Sequence, residues 1–359
     1  MIKVKPCIAK MATYKPPWTN MDRSGYLRLD LNENTLNPPE HVNEALKSYI
    51  NANRIMMYPD YDEFMPKLAA YTGVHKDRLM VTNGSDQAIE VILRAFLGDG
   101  DKMLMAQPGF PMFDQIAGVI GAKICGIPYW PDMNFPENKF LEAIENEKPD
   151  LVVLVNPDNP TGIPVALSFI GRVLEMIPDI PVFVDEAYFE FTGKTALELM
   201  HDHPNMIITR TFSKAFAMAG LRMGYIIAHP DIIAEFSKIR GPFDVNSLAL
   251  VAAEAQIEKQ NQWREFVSET MTASKPELEN FFNRKQVKYY PGAANFMLVA
   301  PKDRDRAVQF LKDQDILVRP MTAPSIAHTF RMNVGVLKQT RSFIDSYDRY
   351  LNLYDGEPG

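Results

Sequence analysis

Thr209-Arg-Thr-Phe-Ser-Lys-Ala-Phe-Ala-Met-Ala-Gly-Leu-Arg-Met-Gly224 is the stretch on which the reading of this chain turns. Apolar residues lead in at Met206-Ile-Ile208 and out at Tyr225-Ile-Ile-Ala228, so two strands bracket a loop. The loop holds one lysine, Lys214, with hydroxyls at Thr211 and Ser213 and a guanidinium at Arg222. A lysine followed by small apolar residues suits a buried amine, and burial depresses an amine's pKa toward the neutral, nucleophilic form. Hydroxyls and an arginine beside it suit a phosphate, which a guanidinium grips with a planar fork of donors. The plain alternative is a loop lysine with an ion-pair partner.

The rest of the chain supplies the context. From residue 78 the rhythm is strand, loop, helix, with apolar runs at 78–82, 102–106, 122–127, 151–155, 181–184, 206–209 and 223–228. Short apolar strands alternating with helices imply an α/β fold whose mostly parallel sheet is covered on both faces. Ligands in such sheets sit at the carboxyl ends of the strands. The polar clusters fall there. Asn83-Gly-Ser-Asp86 reads as a tight turn before a helix over 87–96, offering either an anion site at Ser85 and Asp86 or an ordinary cap. Asn156-Pro-Asp-Asn-Pro-Thr-Gly162 reads as a rigid loop that can present the Asn159 amide to a ligand. Val184-Asp-Glu-Ala-Tyr188 ends a buried strand with Asp185, a carboxylate that needs a partner such as a pyridinium N–H, and Tyr188 lies within reach of a ring hydroxyl. An imine-forming lysine, a phosphate cradle and a pyridinium carboxylate together point to pyridoxal 5'-phosphate.

After residue 240 the pattern changes. A long helical stretch over 247–282 precedes apolar runs at 287–290, 295–299, 316–319 and 330–334, with helices at 303–313 and 338–353. This predicts a smaller α+β domain joined by the strand over 27–31. The expected division is an arm and part of the small domain at 1–45, a large cofactor-binding domain at 46–245, and an interdomain helix with the small domain at 246–359.

Composition narrows the partners. The 359 residues are 46% apolar and carry a net charge of −7, which argues against nucleic acid or an anionic membrane surface. No run approaches the roughly 18 apolar residues of a membrane span. Only Cys7 and Cys125 occur, and Met1-Ile-Lys-Val-Lys-Pro-Cys7 lacks a signal peptide's apolar core, so a cytoplasmic location is expected. Three apparent motifs fail. Gly193-Lys-Thr195 has Tyr188 where a phosphate-binding loop needs its first glycine, His201-Asp-His203 reads as a solvated loop rather than a metal pair, and Gly98-Asp-Gly-Asp101 reads as a turn. No metal is expected.

Taken in order, these motifs resemble the fold-type I pyridoxal-phosphate aminotransferases, in the histidinol-phosphate aminotransferase branch, from Asn32-Glu-Asn34 to Phe330-Arg-Met-Asn-Val-Gly335. The resemblance implies that Lys214 carries the cofactor and later shuttles the α-proton, and that Asp185 pairs with the pyridinium nitrogen. Asn159 and Tyr188 would bind the ring oxygen, and Phe110 would stack on the ring. Ser85, Asp86, Thr211, Ser213 and Arg222 would surround the phosphate. Tyr58, in Tyr-Pro-Asp60, would reach the phosphate of a partner subunit, so a homodimer with shared sites is expected. Arg331 and Arg319 would receive the substrate's anionic end. The implied reaction exchanges an amino group with 2-oxoglutarate, with histidinol phosphate or a related, possibly aromatic, amino acid as donor, which would place the chain in histidine biosynthesis. A decarboxylase of a phosphorylated amino acid, like threonine-phosphate decarboxylase, is the alternative, and a non-catalytic binding protein of this fold a more distant one.

Some positions depart from the family pattern. Trp18 stands where a tyrosine hydroxyl usually faces substrate. Gln87, Phe113 and Ala217 replace a frequent glutamate, tyrosine and glycine, and the loop over 34–37 lacks the usual Pro-Tyr-Gly. Trp18 and that loop lie where substrate choice is expected.

Overall fold

The computed structural model describes residues 2–14, 18 and 20–354. Pro16 and Pro17, within the arm expected in residues 1–45, lie outside them. The seven apolar runs form one sheet in the order Leu79–Thr82, Gly224–Ile227, Met206–Thr211, Val182–Asp185, Leu151–Val155, Lys102–Gln107, Lys123–Pro128. Gly224–Ile227 pairs antiparallel with both neighbours, and the remaining pairs are parallel. Six strands therefore point one way. Their side chains feed two apolar layers: Val152, Leu154, Val184 and Ile208 pack into one, and Val153, Val155, Phe183 and Ile207 into the other. Burial on both faces is why these strands read as continuous apolar runs instead of alternating ones.

The later part of the chain builds an antiparallel sheet in the order Arg319–Pro320, Phe330–Asn333, Phe296–Ala300, Lys288–Tyr290. Leu27–Arg28 pairs in parallel with Ile316–Leu317, which ties the early segment to this later unit. Helices Lys275–Arg284, Arg304–Asp313 and Leu337–Tyr354 contribute Phe281, Leu311, Phe343 and Tyr347 to its core.

Four expectations are corrected. The Asn83–Asp86 turn is mostly helix, because the helix begins at Gly84 and only Asn83 stands outside as its N-cap. The run 316–319 splits into Ile316–Leu317 and Arg319–Pro320, which join different sheets. The strand expected over 27–31 stops at Arg28, although Leu29 still donates to the Leu317 carbonyl, and Asn32 turns the chain at φ 56°. The stretch 247–282 breaks after Glu258 and passes through a π-helical segment at Thr270–Ser274. That segment precedes Pro276, which has no N–H to continue an α-helical ladder.

Candidate active site

Strand direction gathers the motifs. Thr82, Gln107, Val155, Asp185 and Thr211 end their strands at one edge of the large sheet, so the loops that follow share a single cleft.

Lys214 lies in the turn after Met206–Thr211, its amine donating to the Leu31 carbonyl at 3.1 Å and standing 5.8 Å from the centre of the Tyr188 ring. Burial, reinforced by the positive charge of Arg331, lowers its pKa to about 8. A lysine so depressed is neutral in a sizeable minority of molecules near physiological pH, far more than an ordinary lysine, and the neutral form is the nucleophile. Asp185 is buried, accepting from the Ala187 N–H at 3.1 Å and the Thr209 hydroxyl at 3.0 Å through Oδ1. Burial raises its pKa to about 6 despite those two donors. A cationic N–H in the cleft would supply the partner that desolvation calls for. Tyr188 is likewise buried, with its phenol pushed up to about 12 by desolvation, so it acts as a hydrogen-bond donor and acceptor at ordinary pH.

The anion cradle forms where two strand ends meet a helix start. The Thr211 hydroxyl donates to Ser213 Oγ at 3.0 Å. Arg222 reaches Ser213 Oγ at 3.4 Å and pairs with Asp86 at 2.9 Å. Gly84 takes φ 75°, and a Cβ there would stand 2.5 Å from Arg222 Nη2. A Cβ on Gly224 would stand 2.8 Å from the Gly84 carbonyl carbon and 2.9 Å from the Ser85 nitrogen. The two glycines let the Arg222 fork and the first N–H groups of helix Gly84–Phe96 share one small space, which suits a phosphate. Phe110 caps helix Pro111–Ile120, half-buried and edge-on to Phe113.

On the substrate side, Arg331 Nη1 donates to Asn159 Oδ1 at 2.5 Å and Nη2 to the Asp30 carbonyl at 3.0 Å. That engages the carbonyl end of the Asn159 amide, so its NH2 end is the donor that remains for a ligand. Arg319 is the register partner of Arg331 on the adjacent strand. Burial, and then the like charge of Arg319, lower the Arg331 pKa. Arg331 Nε and Arg319 Nη1 are buried without a protein acceptor.

Two predicted site residues do not join this cluster. Trp18 packs against the core of the later unit with the Lys312 ammonium 5.0 Å over its ring, and its indole N–H is buried without a partner. Its φ of 58° turns the chain there. Tyr14, four residues earlier, is instead the residue of this segment that lies near Arg331. Tyr58 lies outside the cleft, 77% exposed and stacked on Phe243 with centroids 4.4 Å apart. His201, of the rejected His201-Asp-His203 pair, is exposed.

Sequence reading also missed contributors. The segment 30–34 touches four parts of the site: Asp30 O meets Arg331, Leu31 O meets Lys214, Asn32 Nδ2 donates to the Tyr188 hydroxyl at 2.9 Å, and Asn34 Nδ2 donates to the Ala215 carbonyl at 2.8 Å. A positive φ at Asn32 is the local feature behind this, and asparagine tolerates it better than most residues. Thr209 was visible only as part of a strand.

Residues 24–345 match the family described as aminotransferase class I and II. The chain belongs to that family. A histidinol-phosphate aminotransferase of Thermoanaerobacter sp. (strain X514) is 33% identical over 294 residues, spanning 81% of this chain and 83% of that protein. Among solved structures, histidinol-phosphate aminotransferase from Sinorhizobium meliloti in complex with pyridoxal-5'-phosphate superposes with a TM-score of 0.87 at 24% identity, covering 98% of each chain. L-threonine-O-3-phosphate decarboxylase from Porphyromonas gingivalis gives 0.78 at 22% identity, over 91% of this chain and 99% of that one. At those identities the two structural likenesses show the fold alone. As a member of the class I and II aminotransferases, the chain is a pyridoxal-phosphate-dependent transaminase. The half-buried, depressed lysine, the desolvated carboxylate and the glycine-lined cradle all fit that cofactor.

Proposed function

We propose that this aminotransferase takes histidinol phosphate as amino donor and 2-oxoglutarate as acceptor, working as a cytoplasmic homodimer in histidine biosynthesis. The observation that carries the donor assignment is the Arg319–Arg331 pair, a half-buried and a buried guanidinium that each keep one buried nitrogen, Arg319 Nη1 and Arg331 Nε, without a protein acceptor. Buried charged donors without acceptors demand an anion. A phosphate monoester answers in one half-reaction, and a glutamate carboxylate in the other. The name borne by the Thermoanaerobacter relative supports the same donor.

Bound pyridoxal phosphate supplies an electron sink for the charge left when a bond at the donor's α-carbon breaks. The residues of this chain would do the rest. Ser85, Asp86, Thr211, Ser213 and Arg222 would hold the phosphate, Asp185 would keep the ring nitrogen protonated, and Asn159 and Tyr188 would donate to the ring oxygen. Phe110 would lie against the ring face. Lys214 would take the α-proton on Nζ and return it at the neighbouring carbon, a task suited to an amine whose pKa is about 8. Arg331 and Arg319 would orient the donor so that its C–H bond stands perpendicular to the ring.

Dimerisation is supported by an apolar surface. Ile55, Met56, Met57, Tyr58 and Phe243 are all exposed, beside a cleft of about 650 Å³ lined by Tyr49, Leu250 and Val251. A contiguous exposed apolar patch marks an interface, and Tyr58 on it would complete the partner's phosphate site. Both cysteines are free, and no helix among the described residues is long and apolar enough to cross a membrane.

A phosphorylated amino-acid decarboxylase is the second reading, favoured by the same arginine pair and by the fold shared with the Porphyromonas protein. A panel of amines incubated with 2-oxoglutarate separates the two. Glutamate formed from histidinol phosphate supports the proposal, and carbon dioxide released without glutamate overturns it. Glutamate from other donors alone removes the histidine pathway and keeps the transaminase.

A further inference from the structure

Asn32 sits in an unusual position for a residue that takes no part in the chemistry above. It is only 1% exposed, yet its carbonyl oxygen Oδ1 has no hydrogen-bond partner. It holds φ at 56°, a conformation that costs most side chains energy. Its amide nitrogen donates to the hydroxyl of Tyr188, a residue 156 positions away. The turn at Asn32 also leaves the preceding carbonyl, Leu31 O, as the acceptor for Lys214 Nζ.

We propose that Asn32 is a positioning residue that aims the Tyr188 hydroxyl proton at the cofactor's ring oxygen. This rests on the reading of Tyr188 as a donor to that oxygen. A hydroxyl has one proton and two lone pairs. The Asn32 N–H occupies a lone pair at 2.9 Å, so the Tyr188 proton points elsewhere. A hydroxyl that accepts one hydrogen bond is also a stronger donor in the next, because the bonds polarise one another. Asn32 therefore does two things for Tyr188: it selects the direction of the donated proton and strengthens the donation. The strained backbone is the condition for both, since a relaxed φ would carry the amide off the phenol.

The test follows the visible absorbance of the cofactor-loaded protein against pH, which reports how well the ring oxygen's negative charge is stabilised and is independent of turnover. Asn32→Gly keeps the left-handed backbone and deletes the amide. Asn32→Asp keeps the shape and replaces the donor with an acceptor, which would draw the Tyr188 proton to itself. Both variants should move the titration midpoint upward. Asn32→Gly should lower kcat by about fivefold, the worth of one ordinary hydrogen bond, with KM for the donor little changed. Tyr188→Phe should also raise the midpoint, and adding Asn32→Gly to it should produce no further shift.

An equal shift from Asn32→Gly in both backgrounds would show that Asn32 acts without Tyr188 and overturn the proposal. A midpoint that moves with Tyr188→Phe but with neither Asn32 variant also overturns it, leaving the role of Tyr188 intact. A midpoint unmoved by Tyr188→Phe itself removes that role and Asn32's with it. Melting of the cofactor-free variants checks the fold, and Asn32→Asp carries the test should the glycine variant not fold.

Discussion

Arg331 and Asn159 meet at 2.5 Å across 172 positions of sequence, the guanidinium from the four-stranded sheet and the amide from the loop that follows Leu151–Val155. The bond joins the arginine proposed to receive the donor's anion to the residue proposed to bind the cofactor's ring oxygen. On that proposal, substrate and cofactor contacts are coupled through one amide. Arg331→Lys, which keeps charge and loses the fork, should raise KM for an anionic donor about ten- to a hundredfold, the range expected when a charged hydrogen bond is removed. Asn159→Ala should lower cofactor retention and raise KM together. In a double-mutant cycle on kcat/KM the two should couple, and strict additivity would contradict this geometry.

Ala217 occupies a left-handed conformation at φ 57°, three residues after Lys214. A Cβ is penalised there by about 1 kcal/mol, and glycine is free of that penalty. Ala217→Gly should leave stability unchanged or raise it by up to about 1 kcal/mol, because relief of strain competes with the added entropy of an unfolded glycine. A calorimetric loss of more than about 1 kcal/mol would mean that the methyl group packs productively.

This position shows what was legible in the sequence and what was not. Its departure from a family glycine was evident, but the φ value that gives it a consequence was not. The same divide runs through the site. Lys214, Asp185, Asn159 and Ser85 could be picked out as candidates because each follows an apolar run that the large sheet buries on both faces, and Arg222 because it leads into one. Arg331 and Arg319 were legible through family motifs, and their pairing across adjacent strands was not. Trp18 is harder to place, because the backbone turn at φ 58° that lays its ring against the core of the later unit has no signature in its neighbours. In the sequence Asn32 is only the start of a motif. Its contact with Tyr188 is long-range, and no local pattern encodes it.

Glu190 is a buried carboxylate outside the catalytic cluster. Tyr71 donates to its Oε1 at 3.4 Å, and its Oε2 has no partner. Desolvation raises its pKa to about 7, above the usual 4.5 of a glutamate, against the pull of Arg210. The folded state then binds more protons than the unfolded state between those limits. Its contribution to stability is fully present below pH 4.5 and is lost as pH rises through about 7. Glu190→Gln, neutral at every pH, should flatten the decline of Tm between pH 5 and 7, which matched melts of the two proteins would show.

The apolar patch around Tyr58 makes a separate prediction about assembly. Tyr58→Phe should leave the dimer intact and accelerate cofactor loss on dilution, because only the hydroxyl is removed. Met57→Glu, charging an exposed neighbour on the same patch, should shift sedimentation toward monomer. A fully active monomer of the parent protein would contradict both.

Lys214 gives the pH dependence of loading. Its pKa of about 8 lies below the usual 10.5 because the folded chain desolvates the ammonium. Only the neutral amine can bond to the cofactor's aldehyde, so the rate of uptake by cofactor-free protein should rise about tenfold per pH unit below 8 and level off above it. Stability moves in the same sense. The unfolded chain holds this proton up to 10.5 while the folded chain releases it near 8, so folding is favoured as pH rises between those values. Lys214→Met should abolish the visible absorbance of the loaded protein and remove that rise in Tm, while leaving the fold in place. A loading rate that keeps climbing to pH 10 would show that the lysine is not depressed, and that the buried amine owes its reactivity to the bound phosphate instead.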